Sequence, residues 1–147
     1  MPPEELPADW REATIAIAHR ERAATLRHPW LIDLVTRRSM HGRVGPNMLR
    51  HGDQSIAALD SLDADAAAKW RLMAVVADYS TGFAIRERRE IAAAGDPELR
   101  PYLRKIVAEG DYPHLGPMLE REPAAGDTFE RGLRWLLNGF AQDTLSP

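Results

Sequence analysis

Apolar residues along this chain recur at helical spacing, and no segment alternates apolar and polar residues for long enough to form a half-buried strand. The pattern therefore predicts an all-α fold. Asp9 is a good N-cap for a first helix that runs to about Arg27, and Pro29 ends it because proline disfavours a helical conformation in the preceding residue. Further helices are predicted from Trp30 to about Arg38, Asn47 to about Leu62, Asp65 to about Ala94, Pro97 to Glu109, in a short broken element over 111–121, and from Thr128 onward.

The apolar positions of two of these helices indicate which side of each enters the core. In the first helix the inward positions are Trp10, Thr14, Ile17, Ala18, Ala24 and Leu26. In the helix from Asn47 they are Met48, Ser55, Ala58, Leu59 and Leu62. Asp63 is predicted to cap the long central helix that follows.

The stretch from Leu72 to Ile85, LMAVVADYSTGFAI, is apolar on every side for about four turns, which is typical of a helix that is buried all round. Four polar residues nevertheless lie together at its centre, Asp78, Tyr79, Ser80 and Thr81. A buried carboxylate is costly unless it is paired or neutralised, so Asp78 is predicted to have a specific partner. That partner is another helix, a second subunit or a ligand.

The last predicted helix carries a wide, aromatic face formed by Phe129, Leu133, Leu136, Leu137 and Phe140. A monomer of 147 residues would have difficulty covering both this face and the central helix. A symmetric homodimer, in which the two helices meet their copies in a four-helix bundle, would bury both. We therefore predict a dimer interface through these five residues. The alternative is a monomeric core with the last helix folded over it.

The composition is that of an ordinary globular chain, with 44% hydrophobic and 28% charged residues. The formal net charge of −3 is too acidic for a protein whose main partner is nucleic acid. No apolar run approaches the roughly 18 residues of a membrane span, and the acidic, proline-rich N-terminus is unlike a signal peptide. The absence of cysteine fits a cytoplasmic location. We predict a flexible lead-in over residues 1–8 and one helical domain over residues 9–147.

Signatures of catalysis and of metal or cofactor binding are missing from the sequence. No two histidines stand at the i, i+4 spacing of a helical metal pair, and there is no HExxH, GxSxG or phosphate-binding glycine loop. No catalytic residue, metal or cofactor is therefore predicted. An enzymatic alternative would use Asp78 and Tyr79 as acid or base, although a perturbed acid only nominates a site.

Five short motifs follow one another in an order and spacing that resemble a known family. They are HPWL at 28–31, GPNMLR at 45–50, DYSTGFAI at 78–85, YPHL at 112–115 and FERGLRWLLNGF at 129–140. Together they look like the C-terminal ligand-binding and dimerisation domain of the tetracycline-repressor (TetR) family, over nearly the whole chain from Trp10 to Phe140. The resemblance implies an all-α homodimer with a pocket between the helices of each subunit, which a segment of the partner often closes.

Members of that family normally carry an N-terminal helix-turn-helix domain of about fifty residues, whose recognition helix enters the major groove of DNA. This chain begins with a linker-like segment, PPEELPADW, and goes directly into the ligand-binding part. We therefore expect it to contact DNA only through a domain that it lacks. It is either part of a longer repressor or a natural short protein, and the sequence does not separate the two.

The resemblance also implies where a ligand would bind. Tetracycline-binding members hold a drug–magnesium complex through an imidazole on the long central helix, and Asp78 stands at the corresponding position here. A carboxylate there suits a cationic or hydrogen-bond-donating ligand, or an internal ion pair with an arginine. The predicted ligand-binding residues are Asp78, Tyr79, Gln54, Ser55, His51, Met48, Trp30, Phe83 and Met118.

Several of these residues have a structural alternative. A histidine such as His51, near a helix start, is also typical of an exposed position, and aromatic or methionine residues at helical spacing are more often core than pocket wall. Met118 and His114 either reach into a partner's pocket or belong to a surface loop. Gly82, inside a helix, indicates close approach of another helix.

We therefore interpret the chain as a small-molecule-sensing domain that acts as a homodimer in a transcription regulator and has no membrane partner. An alternative from another class is a stand-alone protein that sequesters a small molecule and does not bind DNA. An enzyme built on this fold is a third interpretation.

Overall fold

Helices account for all the regular secondary structure in the described part of the chain. The computed structural model describes residues 6–32, 45–94, 98–114, 116–120 and 128–145, and these ranges contain no strand. The fold is therefore all-α, which confirms the sequence-based prediction. The helices are α1 (Trp10–Arg27), α2 (Pro46–Ala57), α3 (Ala66–Ala94), α4 (Leu99–Glu109), α5 (Gly116–Glu120) and α6 (Thr128–Leu145).

The contacts group the chain into two compact units. The first, which we call the core unit, comprises Met1–Ile85 and Thr128–Pro147 and contains α1, α2, most of α3 and α6. The second unit comprises Arg86–Asp127; within it α5 packs on α4, where Gly116 is buried near Val107. The prediction of a single domain over residues 9–147 stays a prediction. Among the described helices, none has the length and apolar character that a bilayer span requires.

Helix α1 begins where the sequence predicts. The Asp9 carboxylate accepts hydrogen bonds of 3.0 and 3.1 Å from the amides of Arg11 and Glu12, which confirms Asp9 as the N-cap. The helix ends at Arg27, as predicted. The predicted inward position Ala24 is wrong because that residue is exposed. The buried residues of α1 are Trp10, Ala13, Thr14, Ile15, Ile17, Ala18 and Thr25.

The connection from α2 to α3 differs from the prediction at both ends. Helix α2 ends at Ala57 and not at Leu62, and the residues after it form a turn in which Leu59 and Leu62 are nevertheless buried. Asp65, and not Asp63, caps α3, since its carboxylate accepts a 2.6 Å hydrogen bond from the amide of Ala68. The predicted short helix from Trp30 begins with a helical turn at residues 30–32, and its remainder lies outside the described residues.

One hydrophobic cluster forms the centre of the core unit and draws on α1, α3, α6 and the turn after α2. Two polar contacts add to it between the first and last helices. Arg11 donates a 2.9 Å hydrogen bond to the side-chain oxygen of Asn138, and His19 lies 3.5 Å from the Glu130 carboxylate. The buried members of the cluster are Trp10, Ile15, Ile17, Ala18, Leu59, Leu62, Leu72, Met73, Val76, Phe129, Leu133 and Leu137.

The central helix α3 is buried on one side only, so the prediction of a helix buried all round is wrong for the single chain. Its inward row includes Leu72, Val76, Ser80 and Ala84, at a spacing of four residues. The opposite side is exposed although it contains apolar groups, which explains why the sequence pattern appeared uniform. The exposed positions of this side include Trp70, Ala74, Val75, Asp78 and Gly82.

Candidate functional site

An aromatic cluster joins the central helix to the last helix. The Tyr79 hydroxyl donates a 2.8 Å hydrogen bond to the backbone carbonyl of Phe129, and the two rings stack with centroids 5.4 Å apart. The Phe83 ring meets Phe129 edge-on at 5.0 Å, and the Arg22 guanidinium of α1 lies 4.9 Å from the Phe129 centroid. These contacts hold α1, α3 and α6 together. The contacts that the structure gives for Tyr79 and Phe83, two of the predicted ligand-binding residues, are therefore within the chain's own core.

Gly132 leaves room for the Tyr79 hydroxyl, since a Cβ at position 132 would collide with that oxygen. We expect Gly132→Ala to lower the free energy of unfolding by about 1–2 kcal/mol, because the displaced ring loses its hydrogen bond and its stacking. The matched control is Gly52→Ala in α2, where an added Cβ meets none of the described residues within 4 Å. There we expect a gain of about 1 kcal/mol from helix propensity. Urea unfolding of both variants measures the difference, and an equal gain in both would contradict the close packing of Tyr79.

A carboxylate–imidazole pair connects α1 to α2. Nε2 of His51 lies 3.2 Å from Oε1 of Glu21. Glu21 falls on the inward row of α1, in register with Thr14, Ala18 and Thr25. Its second carboxylate oxygen, Oε2, is buried and has no hydrogen-bond partner in the described structure. One oxygen of this partly buried carboxylate is therefore shielded from solvent.

Sequence reasoning selected His51 as a ligand-binding residue but missed Glu21. The signal that could have found Glu21 is its position on the inward side of the helix. Residues 14, 18, 21 and 25 follow one helical row, and a charged residue at position 21 of that row needs a partner. Attention to this row would have nominated Glu21 alongside its partner.

The hydrogen bond to Glu21 raises the pKa of His51 above its ordinary value of 6.5, because a carboxylate favours the charged imidazolium. Burial of the imidazole opposes this rise, and the negative charge of Glu21 supports it. Because the pKa is higher in the folded chain, the pair stabilises the fold fully below pH 6.5 and loses its effect as the pH rises through the raised value.

We therefore expect the free energy of unfolding to decrease over that pH window, and Glu21→Gln to weaken the decrease. The same substitution should lower the pKa of His51 toward 6.5, which an NMR titration of the imidazole measures. Glu12→Gln is the control, since it makes the same charge change at an exposed position of α1. A His51 titration that is identical in the wild type and in Glu21→Gln would contradict the pair.

Ser80 differs from the other buried hydroxyl-bearing residues. Its side chain is 0% exposed, and its Oγ has no hydrogen-bond partner in the described structure. A buried hydroxyl without a partner costs about 1–3 kcal/mol, so its presence needs an explanation. Among the residues that the structure describes, the other three buried hydroxyls donate to a backbone carbonyl one turn back: Thr14 to Trp10 at 2.7 Å, Thr25 to Glu21 at 2.9 Å and Ser55 to His51 at 2.9 Å.

Asp78 lies on the exposed side of α3, so the prediction of a buried carboxylate is wrong for the single chain. Helical geometry explains the position. Asp78 is two residues from both Val76 and Ser80, which face inward, and two residues turn a helix by about 200°. The side chain therefore points to the face opposite the core.

The remaining predicted ligand-binding residues are scattered. Trp30, Met48 and Met118 are exposed, and Gln54 is half-buried. Of the predicted set, the structure brings Tyr79 and Phe83 together in the aromatic cluster, and it brings His51 and Ser55 together on α2, one turn apart. Within the described ranges, no group of three or more potential metal ligands occurs.

The residues predicted for the dimer interface divide into two groups. Phe129, Leu133 and Leu137 are fully buried in the chain's own core, so their side chains have no surface to offer a partner in this arrangement. Leu136 and Phe140 are half-buried against the same core. The amphipathic α6 thus uses its apolar stripe within the chain. Its exposed residues include Arg131, Arg134, Trp135, Asn138 and Gly139.

Comparisons with known proteins place this architecture among relatives. A family model described as "Tetracyclin repressor-like, C-terminal domain" matches residues 2–144. An HTH-type transcriptional regulator of Saccharopolyspora erythraea is 31% identical over 146 residues, which are 95% of this chain. The chain spans 58% of the length of that relative. No solved structure matches the chain closely enough to count as a relative.

Proposed function

The chain belongs to the tetracycline-repressor family, whose C-terminal domain it matches from residue 2 to residue 144, and from this premise we propose that it senses a small molecule for a transcription regulator. The observation that carries the proposal is the unpartnered hydroxyl of Ser80 in the interior of the core unit. A buried hydroxyl without a partner costs free energy, and a ligand that forms a hydrogen bond with it would remove that cost. Glu21 and His51 supply further polar groups between α1 and α2.

We also propose that the domain acts as a homodimer, through the exposed sides of α3 and α6. Trp70 and Val75 of α3 are exposed apolar residues, and Trp135 of α6 is 69% exposed. Large apolar side chains on adjacent helices are typical of a surface that a partner covers. This surface differs from the face of α6 that the sequence predicted for the interface, which is buried or half-buried in the chain's own core.

The contact between Tyr79 and Gly132 places the two exposed sides next to each other. Val75 and Gly82 lie one turn on either side of Tyr79, toward solvent. Gly139 lies two turns beyond Gly132 on the exposed side of α6. An added Cβ at Gly82 or Gly139 meets nothing within 4 Å in the described part of the chain, so the close helix approach predicted for Gly82 would come from a second copy.

A ligand held at Glu21 would act on α1, the first helix of the domain. In this family the DNA-binding domain normally precedes that helix in sequence. A change in the position of α1 would therefore be the most direct way for a ligand to move the DNA-binding domain. The ligand must bind one arrangement of the helices more tightly than the other, because equal affinity shifts no equilibrium.

Native mass spectrometry of the purified chain tests the proposal. We expect a dimer of twice the 16.5-kDa chain mass that carries a small molecule, released by mild denaturation. An empty monomer at micromolar concentration would overturn both the dimer and the sensor function. The stand-alone alternative predicts the same bound molecule, so mass spectrometry does not distinguish it from a regulator. The gene sequence upstream of Met1 does, since a regulator requires an in-frame helix-turn-helix segment there.

A further inference from the structure

An acidic and a basic residue lie beside the contact between Tyr79 and Gly132. Asp78 precedes Tyr79 in α3, and Arg131 precedes Gly132 in α6. Both Asp78 and Arg131 are exposed, and the structure gives no ion pair between them or to another described residue. The exposed sides of these two helices therefore carry opposite charges at the same level of the core unit.

These two residues differ from the other charged residues of α3 and α6. Asp78 is the only acidic residue of the sequence from position 66 to position 85, which is the part of α3 that belongs to the core unit. In α6 the Glu130 carboxylate accepts hydrogen bonds of 2.6 and 3.0 Å from Arg134. Arg131 is therefore the arginine of α6 that is available to a partner.

A protruding side chain and a gap lie one turn beyond these charges. Trp135 comes four residues after Arg131, and its side chain is 69% exposed. Gly82 comes four residues after Asp78, is exposed as well, and offers space, since a Cβ added there meets none of the described residues within 4 Å. The large side chain of α6 and the gap in α3 thus stand at the same distance from the charged residue of their helix.

Helices α3 and α6 run in opposite directions. Phe83 meets Phe129 at 5.0 Å, near the start of α6. Tyr79, one turn earlier in α3, contacts Gly132, nearly one turn later in α6. The core unit contains the earlier turns of α3 and the whole of α6, so α6 extends along those earlier turns.

Two-fold symmetry turns this direction into a rule for pairing. A two-fold axis that passes perpendicularly between α3 and α6 places α3 of the second copy over α6 of the first. The rotation reverses each helix, so this α3 runs in the same direction as the α6 that it meets. Residues four apart on α3 then face residues four apart on α6. An axis at the level of Asp78 and Arg131 therefore pairs Asp78 with Arg131 of the second copy, and Gly82 with Trp135 of the second copy.

Alignments one turn away do not give this match. A shift in one direction places Asp78 opposite Trp135 and Gly82 opposite Gly139, which covers a carboxylate with an apolar ring and leaves two gaps facing each other. A shift in the other direction moves Asp78 beyond Thr128, where α6 begins. Of the three alignments, the one at Asp78 satisfies both charge and shape.

We propose that two reciprocal ion pairs, each between Asp78 of one copy and Arg131 of the other, align the homodimer and select its partner, while each Trp135 fills the gap at Gly82 of the other copy. The inference rests on the proposed homodimer and adds the residues that decide which chains associate. The second copy covers Asp78, and a covered carboxylate requires a hydrogen-bonded cation, which arginine provides with two parallel donors. A related chain without these opposite charges would leave Asp78 or Arg131 unpaired and would be rejected.

Charge reversal at the two positions tests the pairing. Asp78→Arg and Arg131→Asp each place like charges at both ion pairs of a homodimer, so each should raise the dissociation constant at least about a hundredfold. An equal mixture of the two variants restores both pairs in the heterodimer, whose dissociation constant should lie within about tenfold of the wild-type value. Sedimentation velocity measures these constants, and native mass spectrometry distinguishes the heterodimer from the homodimers by mass.

Asp60→Arg is the matched control. Asp60 is exposed in the turn after α2 and lies outside α3 and α6. This variant should dimerise as the wild type does, and it should form no heterodimer of wild-type affinity with Arg131→Asp. Circular dichroism should show the same helical content in all three single variants, since each changes an exposed residue.

The gap and the tryptophan are tested by the same design. Gly82→Leu fills the gap and should raise the dissociation constant at least about tenfold without loss of helical content, because glycine is the poorer helix former. A mixture with Trp135→Ala places leucine opposite alanine at one site and glycine opposite tryptophan at the other. The heterodimer should therefore bind more tightly than either variant binds to itself.

The outcomes separate the pairing from the dimer itself. If the wild type is a dimer and the mixture of Asp78→Arg and Arg131→Asp stays monomeric, the pairing is overturned and the homodimer stands. If a chain with both substitutions associates as the wild type does while the mixture does not, the two residues pair within one chain, which also overturns the proposal. A wild type that stays monomeric at every concentration overturns the pairing together with the proposed homodimer.

Discussion

Replacement of Phe129 by alanine is expected to lower the free energy of unfolding by about 3–5 kcal/mol, as large aromatic truncations in cores do. The ring is 0% exposed and stands at the centre of the contacts between α1, α3 and α6. It meets the rings of His19 at 5.1 Å, of Tyr79 at 5.4 Å and of Phe83 at 5.0 Å. Because a domain is stable by only about 5–15 kcal/mol, the variant should melt at a much lower temperature.

The control for this prediction is Trp30→Ala, which truncates an aromatic side chain that is 59% exposed. It should change the free energy of unfolding by less than about 0.5 kcal/mol. Urea unfolding followed by circular dichroism measures both variants, at one protein concentration because self-association would add to stability. A loss of less than about 1.5 kcal/mol for Phe129→Ala would show that the ring is not the centre of this core.

The second large effect is expected on assembly and not on folding. Trp135→Ala should convert the proposed dimer to a monomer while the helical content stays unchanged, because the side chain is 69% exposed and takes no part in the core cluster. Buried tryptophans in interfaces contribute about 2–4 kcal/mol each, and a symmetric dimer contains two copies. The dissociation constant should therefore rise by at least about a thousandfold. Sedimentation velocity over a range of concentrations measures it.

Trp30→Ala serves as the control here too, since it removes an exposed tryptophan outside α3 and α6. If Trp135→Ala and the wild type dissociate at the same concentration, the proposed surface is not the interface. Substitutions at Leu136 or Phe140 would not make this distinction. Both residues pack against the core, where Phe140 meets the ring of Trp10 at 6.2 Å, so a charge there would unfold the chain before it affected a partner.

The elements of the fold could be predicted from sequence because their signals are local. Asp9 caps α1 through its own side chain, and Pro29 limits the same helix through its own ring, whatever the rest of the chain does. The end of α2 was misplaced for the opposite reason. Leu59 and Leu62 continue the apolar pattern of the helix. They lie in the turn after it, however, and are buried there by tertiary packing.

The site was harder to predict because it depends on which side of each helix faces its neighbours. The sequence of α3 is apolar on both sides, so periodicity could not distinguish Asp78 from Ser80 as the inward polar residue. The pairing of Glu21 with His51 joins residues thirty positions apart, and nothing in either local sequence states it. Only the placement of α1 against α2 and α3 decides these contacts.

The core unit is discontinuous in sequence, and this has a consequence for its biosynthesis. Arg11 contacts Asn138 across 127 positions, and Tyr79 contacts the carbonyl of Phe129 across 50. A ribosome must therefore add α6 before the cluster around Phe129 can close, so the emerging chain presents the inward faces of α1 and α3 without their cover. The closing of this cluster therefore has to wait for the synthesis of α6, and until then the apolar faces of α1 and α3 are open to aggregation.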